Sequence, residues 1–276
     1  FQAGLALRRH ELVSVRKNHS VKVNDRIRAA ALEVLPFRLT GGQRLVLKEI
    51  VSDLTKPEPM RRLLQGDVGS GKTIVAILAA LVAMENNLQV ALMSPTELLA
   101  EQHFASLKQV LGRSRFGLSL LTGATRTKER QRIAEQLADG SLQLIVGTHA
   151  LLQGDVGFQR LGLVIIDEQH RFGVAQRSAL GAKGSTPDTL VMTATPIPRT
   201  LALTVYGDLD VSNIHELPPG RKPVVTIARS DAERANVYAL IRNEIAKGRQ
   251  AYVVCPLVEE SEKFDLKAAT EMSEEL

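Results

Sequence analysis

The chain has 276 residues, of which 44% are hydrophobic and 24% charged, and its formal net charge is +5 at pH 7. This length suffices for about two domains with separate cores, the composition excludes a disordered protein, and no apolar run approaches the length of a transmembrane helix. The single cysteine, Cys255, excludes an internal disulfide and a multi-cysteine metal site. We therefore expect a cytoplasmic protein that has no membrane partner.

The first 35 residues predict a helical N-terminal arm. They are rich in Leu, Ala, Arg and Val but contain too few apolar residues for a core of their own. We expect this arm to pack on the following domain or to form the end of an upstream one. Because the chain opens on Phe1 rather than Met, we also expect it to be a piece of a longer protein.

A turn and a helix follow the arm. Thr40 and Gln43 have the spacing of a capping box, in which the two side chains close the first turn of a helix. The helix is expected to run to about Leu54, and a proline-containing segment separates it from the next strand.

The segment Gly66 to Thr73 matches the phosphate-binding pattern G-x-x-x-x-G-K-[ST]. Its glycines can take backbone conformations that direct successive N–H groups at one anion. A strand predicted over 60–65 enters the loop, and a helix predicted over 73–85 presents its positive end to the same anion. This order favours an ATP site with Mg²⁺ over a chance glycine-rich turn. The predicted phosphate and metal contacts are Gly66, Gly69, Ser70, Gly71, Lys72 and Thr73.

From residue 60 to about 205, short apolar runs alternate with longer helical stretches. This alternation is typical of an α/β fold with a mainly parallel sheet, whose strands are buried on both faces. Further strands are predicted at 89–93, 117–121, 142–146, 163–166 and 190–193, and further helices at 96–111, 126–138, 174–182 and 198–205.

A proline- and glycine-rich segment at 217–223 predicts a linker, after which the pattern restarts. We expect a strand at 224–228, a helix at 231–247 and a strand at 250–255. The domain prediction is therefore an arm at 1–35, an ATP-binding domain at 36–216, the linker at 217–223 and the beginning of a second α/β domain at 224–276.

Asp167 and Glu168 follow the apolar strand at 163–166. In open α/β sheets ligands bind at the carboxyl ends of the strands. Asp167 can hold the water shell of Mg²⁺ opposite Thr73, and Glu168 can orient or deprotonate the attacking water. Such a pair alone is usually a solvated turn, but beside a phosphate-binding loop it predicts a catalytic site.

Thr193 and Thr195 lie at the end of another apolar strand, the one predicted at 190–193. Their hydroxyls can bond to Asp167 or His170 and relay the nucleotide state to another surface. Thr195 can also cap a helix that has Pro196 at its first position. Both roles are compatible.

Five segments stand in the order of motifs I, Ia, Ib, II and III of the superfamily 2 helicases, and the chain resembles that family. The segments are 66–73, 95–103, 147–152, 167–174 and 193–200. Together with 207–210 and 217–221, the last two resemble the branched-DNA helicases of the superfamily. The nearest rival is the transcription-repair coupling factor, whose motif II usually reads Asp-Glu-Glu-His; Gln169 favours the branched-DNA helicases.

The resemblance implies a monomeric motor of two RecA-like domains that binds ATP and Mg²⁺ and moves along branched or duplex DNA. Lys72, Asp167 and Glu168 would be catalytic, with Thr73 and Asp167 at the metal. Adenine would be read by Phe37 and Gln43, although capping competes for Gln43. The implied coupling residues are Gln169, His170, Thr193 and Thr195, and the implied DNA contacts are Thr96, Thr122, Gly123, Thr148 and His149.

The family pattern continues past Leu276 into a full second motor domain with an arginine finger, and it includes an upstream wedge domain. We therefore expect this chain to bind nucleotide weakly, with little or no DNA-stimulated hydrolysis. A different class of function stays open at this point: an interaction module that binds ATP as a switch and never translocates.

Overall fold

The computed structural model describes residues 16–35, 37–112, 114–167, 186–195, 209–216 and 224–254. Its contacts divide the chain into two units, Phe1–Arg221 and Lys222–Leu276. The helices predicted at 174–182 and 198–205 and the linker at 217–223 lie outside the described residues.

The first unit alternates strands and helices as the sequence predicts. Apart from the N-terminal arm, every predicted strand and helix within its described residues is present, with ends that differ by at most two residues. In chain order the elements are α1 (Asp25–Val34), α2 (Gly41–Thr55), β1 (Arg61–Gly66), α3 (Lys72–Glu85), β2 (Gln89–Met93), α4 (Glu97–Leu111), β3 (Leu118–Leu121), α5 (Thr127–Ala138), β4 (Leu144–Gly147), a 3₁₀ turn (His149–Leu152), β5 (Leu161–Asp167), β6 (Asp188–Thr193) and β7 (Asp210–Ile214).

The strands form one seven-stranded sheet in the order β3-β4-β2-β5-β6-β1-β7. Every pairing is parallel, which confirms the predicted α/β fold. The register aligns Asp167 of β5 with Met192 of β6, and Met192 with Leu64 of β1. The carboxyl ends of these three strands therefore lie side by side, at one edge of the sheet.

The core surrounds helix α3, which is buried continuously from Ile74 through Met84. Strand β5 is likewise buried along its whole length. Both runs are almost uninterruptedly apolar because neighbouring elements cover them on every side. Among the described residues, every helix is too short or too polar to span a bilayer.

Strand β7 was not predicted from the sequence. Its five residues, Asp-Val-Ser-Asn-Ile, contain only two strong strand formers. It is the last strand at the side of the sheet, and among the described residues its one pairing partner is β1. An edge strand needs less apolar character than a central one, so the hydrophobic pattern gives little indication of it.

The prediction of a helical arm holds for Asp25–Val34 but is wrong for residues 16–24, which contain no helix. Lys17 fixes this segment to the sheet. Its ammonium lies 3.0 Å from each carboxylate oxygen of Asp188 and donates to the Leu54 carbonyl at 2.8 Å. The side chains of Lys17 and Asp188 are both 0% exposed.

Two further groups complete this buried ion pair. The Met60 N–H donates to Asp188 Oδ1 at 2.6 Å, and His19 Nε2 lies 2.9 Å from Oδ2. Asp188 begins β6. The cluster therefore lies at the edge formed by the amino ends of the strands, opposite to the carboxyl ends of β1 and β5.

The second unit contains a 3₁₀ turn at Asp231–Glu233 and one further helix, α6 (Arg234–Ala246), among its described residues. The strands predicted at 224–228 and 250–255 are wrong where the structure describes them, since 224–230 and 250–254 contain no strand. A strand persists through hydrogen bonds to a neighbouring strand, and the described part of this unit offers none. Val224 and Val225 are accordingly 80% and 82% exposed.

Replacing Asp188 by Ala should destabilise the first unit strongly. The substitution leaves the Lys17 ammonium buried without its counter-ion, and breaking a buried pair from one side costs about 3–5 kcal/mol. The measurement is urea unfolding followed by circular dichroism. The control is Asp25→Ala, because the Asp25 side chain is 98% exposed in its pair with Arg28. Equal midpoints for the two variants would contradict the expectation.

Candidate functional site

The structure places the predicted nucleotide and metal residues at one edge of the sheet. The glycine-rich loop follows β1, Asp167 ends β5 and Thr193 ends β6, and these three strands are neighbours in the order β5-β6-β1. With about 4.8 Å between adjacent strands, the ends of β5 and β1 are separated by roughly 10 Å. This spacing suits a polyphosphate and its metal ion.

The loop after β1 has a conformation that only glycine permits at key positions. Gly69 and Gly71 have φ angles of 76° and 87°, in the left-handed region that other residues avoid. A Cβ atom on Gly71 would lie 2.2 Å from Gln43 Nε2, and one on Gly66 would lie 2.6 Å from Ser70 Oγ. The tight loop is therefore fixed by its neighbours as well as by its own dihedral angles.

The same loop leads directly into α3, which begins at Lys72. Gly71 is the N-cap of α3, and no side chain caps this helix end. The Lys72 ammonium lies over the loop and donates to the carbonyls of Gly66 at 2.8 Å and Asp67 at 3.1 Å. Thr73 is half-buried in the first turn. Uncapped N–H groups and a lysine at a helix N-terminus attract an anion.

Gln43 holds this loop from helix α2. The predicted capping box is confirmed: Thr40 N–H donates to Gln43 Oε1 at 2.9 Å, and Gln43 N–H donates to Thr40 Oγ1 at 3.2 Å. The side-chain amide also donates from Nε2 to the Ser70 carbonyl at 2.9 Å. The sequence did not predict this third bond. The adenine role of Gln43 and of Phe37, whose surface is 53% exposed, stays a prediction.

A carboxylate beyond β7 supports the start of α2. Glu216 Oε2 accepts a hydrogen bond from the Gly42 N–H at 3.0 Å. This bond and one from the Thr40 hydroxyl lower the pKa of Glu216 below its ordinary value. A negative charge at a helix N-terminus is favourable, so Glu216 stabilises the helix that presents Gln43 to the loop.

Asp167 is held by a histidine that the sequence did not predict. His103 Nε2 lies 2.6 Å from Asp167 Oδ2, and the two residues are 9% and 8% exposed. His103 closes the segment 95–103 that resembles motif Ia, and its place on the buried face of a predicted helix was the only indication of a role. The sequence does not show that Asp167 is its partner, because the two residues are 64 positions apart.

The two threonines at the end of β6 bond to each other. Thr193 Oγ1 and Thr195 Oγ1 are 2.9 Å apart, and Gln65 at the end of β1 donates to the Thr195 carbonyl at 3.2 Å. Gln65 thus links the nucleotide loop to this strand end, which the sequence did not predict. The described hydrogen bond of the Asp167 side chain is with His103 rather than with a threonine. The predicted residues Glu168, Gln169 and His170 lie outside the described residues.

The predicted DNA contacts lie at the same edge, after β2, β3 and β4, which adjoin one another in the sheet. Thr96 is exposed and caps α4, accepting from the Leu99 N–H at 3.3 Å. Gly123 and His149 are also exposed, whereas Thr122 is buried. The edge is thus divided into a half formed by β3, β4 and β2 and a half formed by β5, β6 and β1.

Some hydroxyls at this edge are buried without a hydrogen-bond partner among the described residues. They belong to Ser70 in the loop, Ser94 after β2 and Thr148 after β4. The strand ends that carry Ser94 and Thr148 are joined by a bond from the Ser94 N–H to the Gly147 carbonyl at 2.9 Å. Buried polar groups are nearly always paired, with protein, water or a ligand, so these hydroxyls mark positions where a bound molecule would complete the hydrogen bonding.

Comparison with known proteins identifies relatives of the chain. The DEAD/DEAH box helicase family matches residues 40–204. The ATP-dependent DNA helicase RecG of Synechocystis sp. is 53% identical over 270 residues, covering 98% of this chain and 32% of the relative. RecG of Aquifex aeolicus is 50% identical over 273 residues, covering 98% and 34%. The chain thus spans about a third of the length of the curated relatives that it matches.

Solved structures agree with this result. A structure of RecG bound to a three-way DNA junction has a TM-score of 0.82 at 42% identity and covers 99% of this chain and 36% of that one. The DEAD-box helicase Mss116 bound to ssRNA and UDP-BeF, only 16% identical, has a TM-score of 0.59 and covers 85% and 55%; it supports the fold alone. The predicted RecA-like fold is confirmed.

Replacing Gly71 by Ala should destabilise the loop. A non-glycine residue in the left-handed region costs of the order of 1–3 kcal/mol, and the new Cβ also collides with Gln43. Urea unfolding measures the loss. Gly154→Ala is the matched control, because its Cβ meets nothing within 4 Å, and it should change stability by less than about 0.5 kcal/mol.

The collision can be separated from the backbone strain by repeating Gly71→Ala in a Gln43→Ala background. The cost should be smaller there, because only the strain remains. An equal cost in both backgrounds would show that Gln43 does not constrain the loop.

Proposed function

This chain belongs to the DEAD/DEAH box helicase family, and from that premise we propose that the complete protein is an ATP-dependent DNA helicase of the RecG type. It translocates on branched DNA in recombination and repair, regressing replication forks and migrating Holliday junctions. The observation that carries the proposal is the divided sheet edge, where the nucleotide loop and Asp167 occupy one half and the predicted DNA contacts occupy the other.

Mg²⁺-ATP fits the residues of the first half. The phosphates would be bound by three groups. These are the backbone of the glycines with left-handed conformations, the uncapped amino end of α3 and the Lys72 ammonium. The Thr73 hydroxyl and the Asp167 carboxylate are oxygen donors of the kind that Mg²⁺ prefers. Held there, Mg²⁺ would neutralise the negative charge that develops in phosphoryl transfer.

The remaining steps of hydrolysis belong to residues beside these. Glu168 follows Asp167 and would orient the attacking water or accept its proton. Thr193 and Thr195, which Gln65 joins to the nucleotide loop, would relay the nucleotide state together with Gln169 and His170. An arginine finger from a second motor domain would complete the site.

The second half of the edge would hold the DNA backbone. The Thr148 hydroxyl is buried without a described partner and can donate to a phosphate oxygen. The other proposed contacts are Thr96, Thr122, Gly123 and His149, which follow β2, β3 and β4 at the same edge. Such contacts position the protein and carry no sequence information. Branched DNA is the substrate that we propose, because the similar RecG structure is bound to a three-way junction.

Two alternatives are less well supported. A coupling factor would act on RNA polymerase as well as on DNA, but the similar curated relatives named above are RecG helicases. A nucleotide switch would bind a partner without moving along DNA. The substitution Glu168→Gln in the complete protein distinguishes a nucleotide switch from a motor. A motor with this substitution should retain ATP binding and lose unwinding. We further propose that the complete protein works as a monomer in the cytoplasm.

Lys72→Ala should weaken binding of Mg²⁺-ATP by roughly 10- to 100-fold, because a hydrogen bond to a charged group contributes about 1.5–3 kcal/mol. Titration with a fluorescent ATP analogue measures the effect on this chain. Lys48→Ala, on the exposed side of α2, is the matched control and should bind as the wild type does. Unchanged affinity in the Lys72 variant would contradict the nucleotide site.

Thr148→Val should weaken DNA binding without loss of stability. The substitution removes a buried hydroxyl that has no described partner, so unfolding should be unaffected or slightly harder. The affinity for a labelled three-way junction should fall by about 3- to 10-fold, the equivalent of one hydrogen bond. Fluorescence anisotropy at low salt measures it.

Thr189→Val makes the same chemical change near the start of β6, at the opposite edge, and serves as the control. If both variants bind the junction equally well, the hydroxyl of Thr148 does not contact DNA.

A further inference from the structure

We propose that His103 is a positioning residue for the magnesium site. It lies on helix α4, which follows β2 in the half of the sheet edge that carries the predicted DNA contacts. The inference rests on the proposed function, because it assigns to Asp167 the role of holding the water shell of Mg²⁺. It adds a residue that would determine how that carboxylate is aimed.

The His103–Asp167 contact is short and shielded. The Nε2–Oδ2 distance is 2.6 Å, and the two side chains are 11% and 12% exposed. An ionised carboxylate can only accept hydrogen bonds, so Nε2 carries the proton and donates. Among the residues that the structure describes, His103 is the hydrogen-bond partner of the Asp167 side chain. The hydrogen bond to Oδ2 therefore fixes the direction in which the second oxygen, Oδ1, points.

His103 bridges the two halves of the edge. It lies on α4, which follows β2, whereas Asp167 ends β5, and β2 and β5 are neighbours in the sheet. Helix α4 begins at Glu97 with Thr96 as its cap, and His103 lies roughly 9 Å further along at 1.5 Å per residue. A displacement of α4 by DNA at Thr96 would thus move the donor that holds Asp167.

Orientation matters because Mg²⁺ demands near-ideal octahedral geometry and keeps several of its waters. A carboxylate that rotates freely presents its oxygens in many directions, whereas one held at Oδ2 presents Oδ1 in one direction. Residues that orient a metal ligand in this way typically change metal affinity by about 10- to 100-fold when they are removed.

A second buried histidine–aspartate pair provides an internal comparison. His19 Nε2 lies 2.9 Å from Asp188 Oδ2 at the opposite edge, where Lys17 and the Met60 N–H also donate to the carboxylate. That carboxylate is occupied by the protein and serves stability. Asp167 has a single described side-chain partner and lies at the ligand-binding edge.

The experiment measures the affinity of the whole 276-residue chain for a non-hydrolysable ATP analogue by calorimetry, in EDTA and in Mg²⁺. The ratio of the two dissociation constants reports the Mg²⁺ enhancement. His103→Leu, which fills similar space without a donor, should reduce this enhancement about 10-fold and leave the affinity in EDTA unchanged. His103→Gln, whose amide can donate to the same oxygen, should recover part of it.

The control is His19→Leu, which should lower the unfolding midpoint while the Mg²⁺ enhancement stays at the wild-type value. The proposal is overturned if His103→Leu keeps the full enhancement, if it weakens binding equally in EDTA and in Mg²⁺, or if His103→Gln is no better than His103→Leu. A wild-type chain without any Mg²⁺ enhancement would instead refute the nucleotide site itself, so the two failures are distinguishable.

Discussion

The parallel direction of the sheet is the constraint on which the rest of this structure depends. Because all seven strands run the same way, each loop that carries chemistry leaves from the same edge. The strand order then separates those loops into a half with the glycine-rich loop and Asp167 and a half with the predicted DNA contacts, which meet between β2 and β5. Asp167 stands at that boundary, within hydrogen-bond distance of a helix from the other half. Packed side chains, hydrogen bonds and rigid secondary-structure elements of this kind can carry energetic coupling between two ligand sites.

The glycine-rich loop depends on more than its own residues. Gln43 bonds to the Ser70 carbonyl and fills the space that a Cβ on Gly71 would need. Gln43 is in turn placed by the capping box of α2, and Glu216 stabilises the amino end of that helix from beyond β7. The loop conformation is therefore supported by contacts that extend 174 positions along the chain.

The residues that stabilise the fold and the residues of the candidate ligand site lie at opposite edges of the sheet. Lys17 and Asp188 form a buried, fully hydrogen-bonded pair at the amino ends of the strands, where it fixes the extended segment before α1. At the carboxyl ends, the hydroxyls of Ser70, Ser94 and Thr148 have no described partner. A protein tolerates buried unpaired groups where a ligand completes them, and satisfies its polar groups elsewhere.

The sequence by itself determined the elements whose cause is local. Buried strands and α3 follow from continuous apolar runs, the capping box from a three-residue spacing, and the phosphate loop from glycines beside Lys72. Tertiary structure alone decided β7, which is a strand because β1 lies beside it, and decided against strands at 224–230 and 250–254, which have no described neighbour. It also paired His103 with Asp167 and Lys17 with Asp188, because hydrogen bonds between residues 64 and 171 positions apart depend on how the strands are ordered.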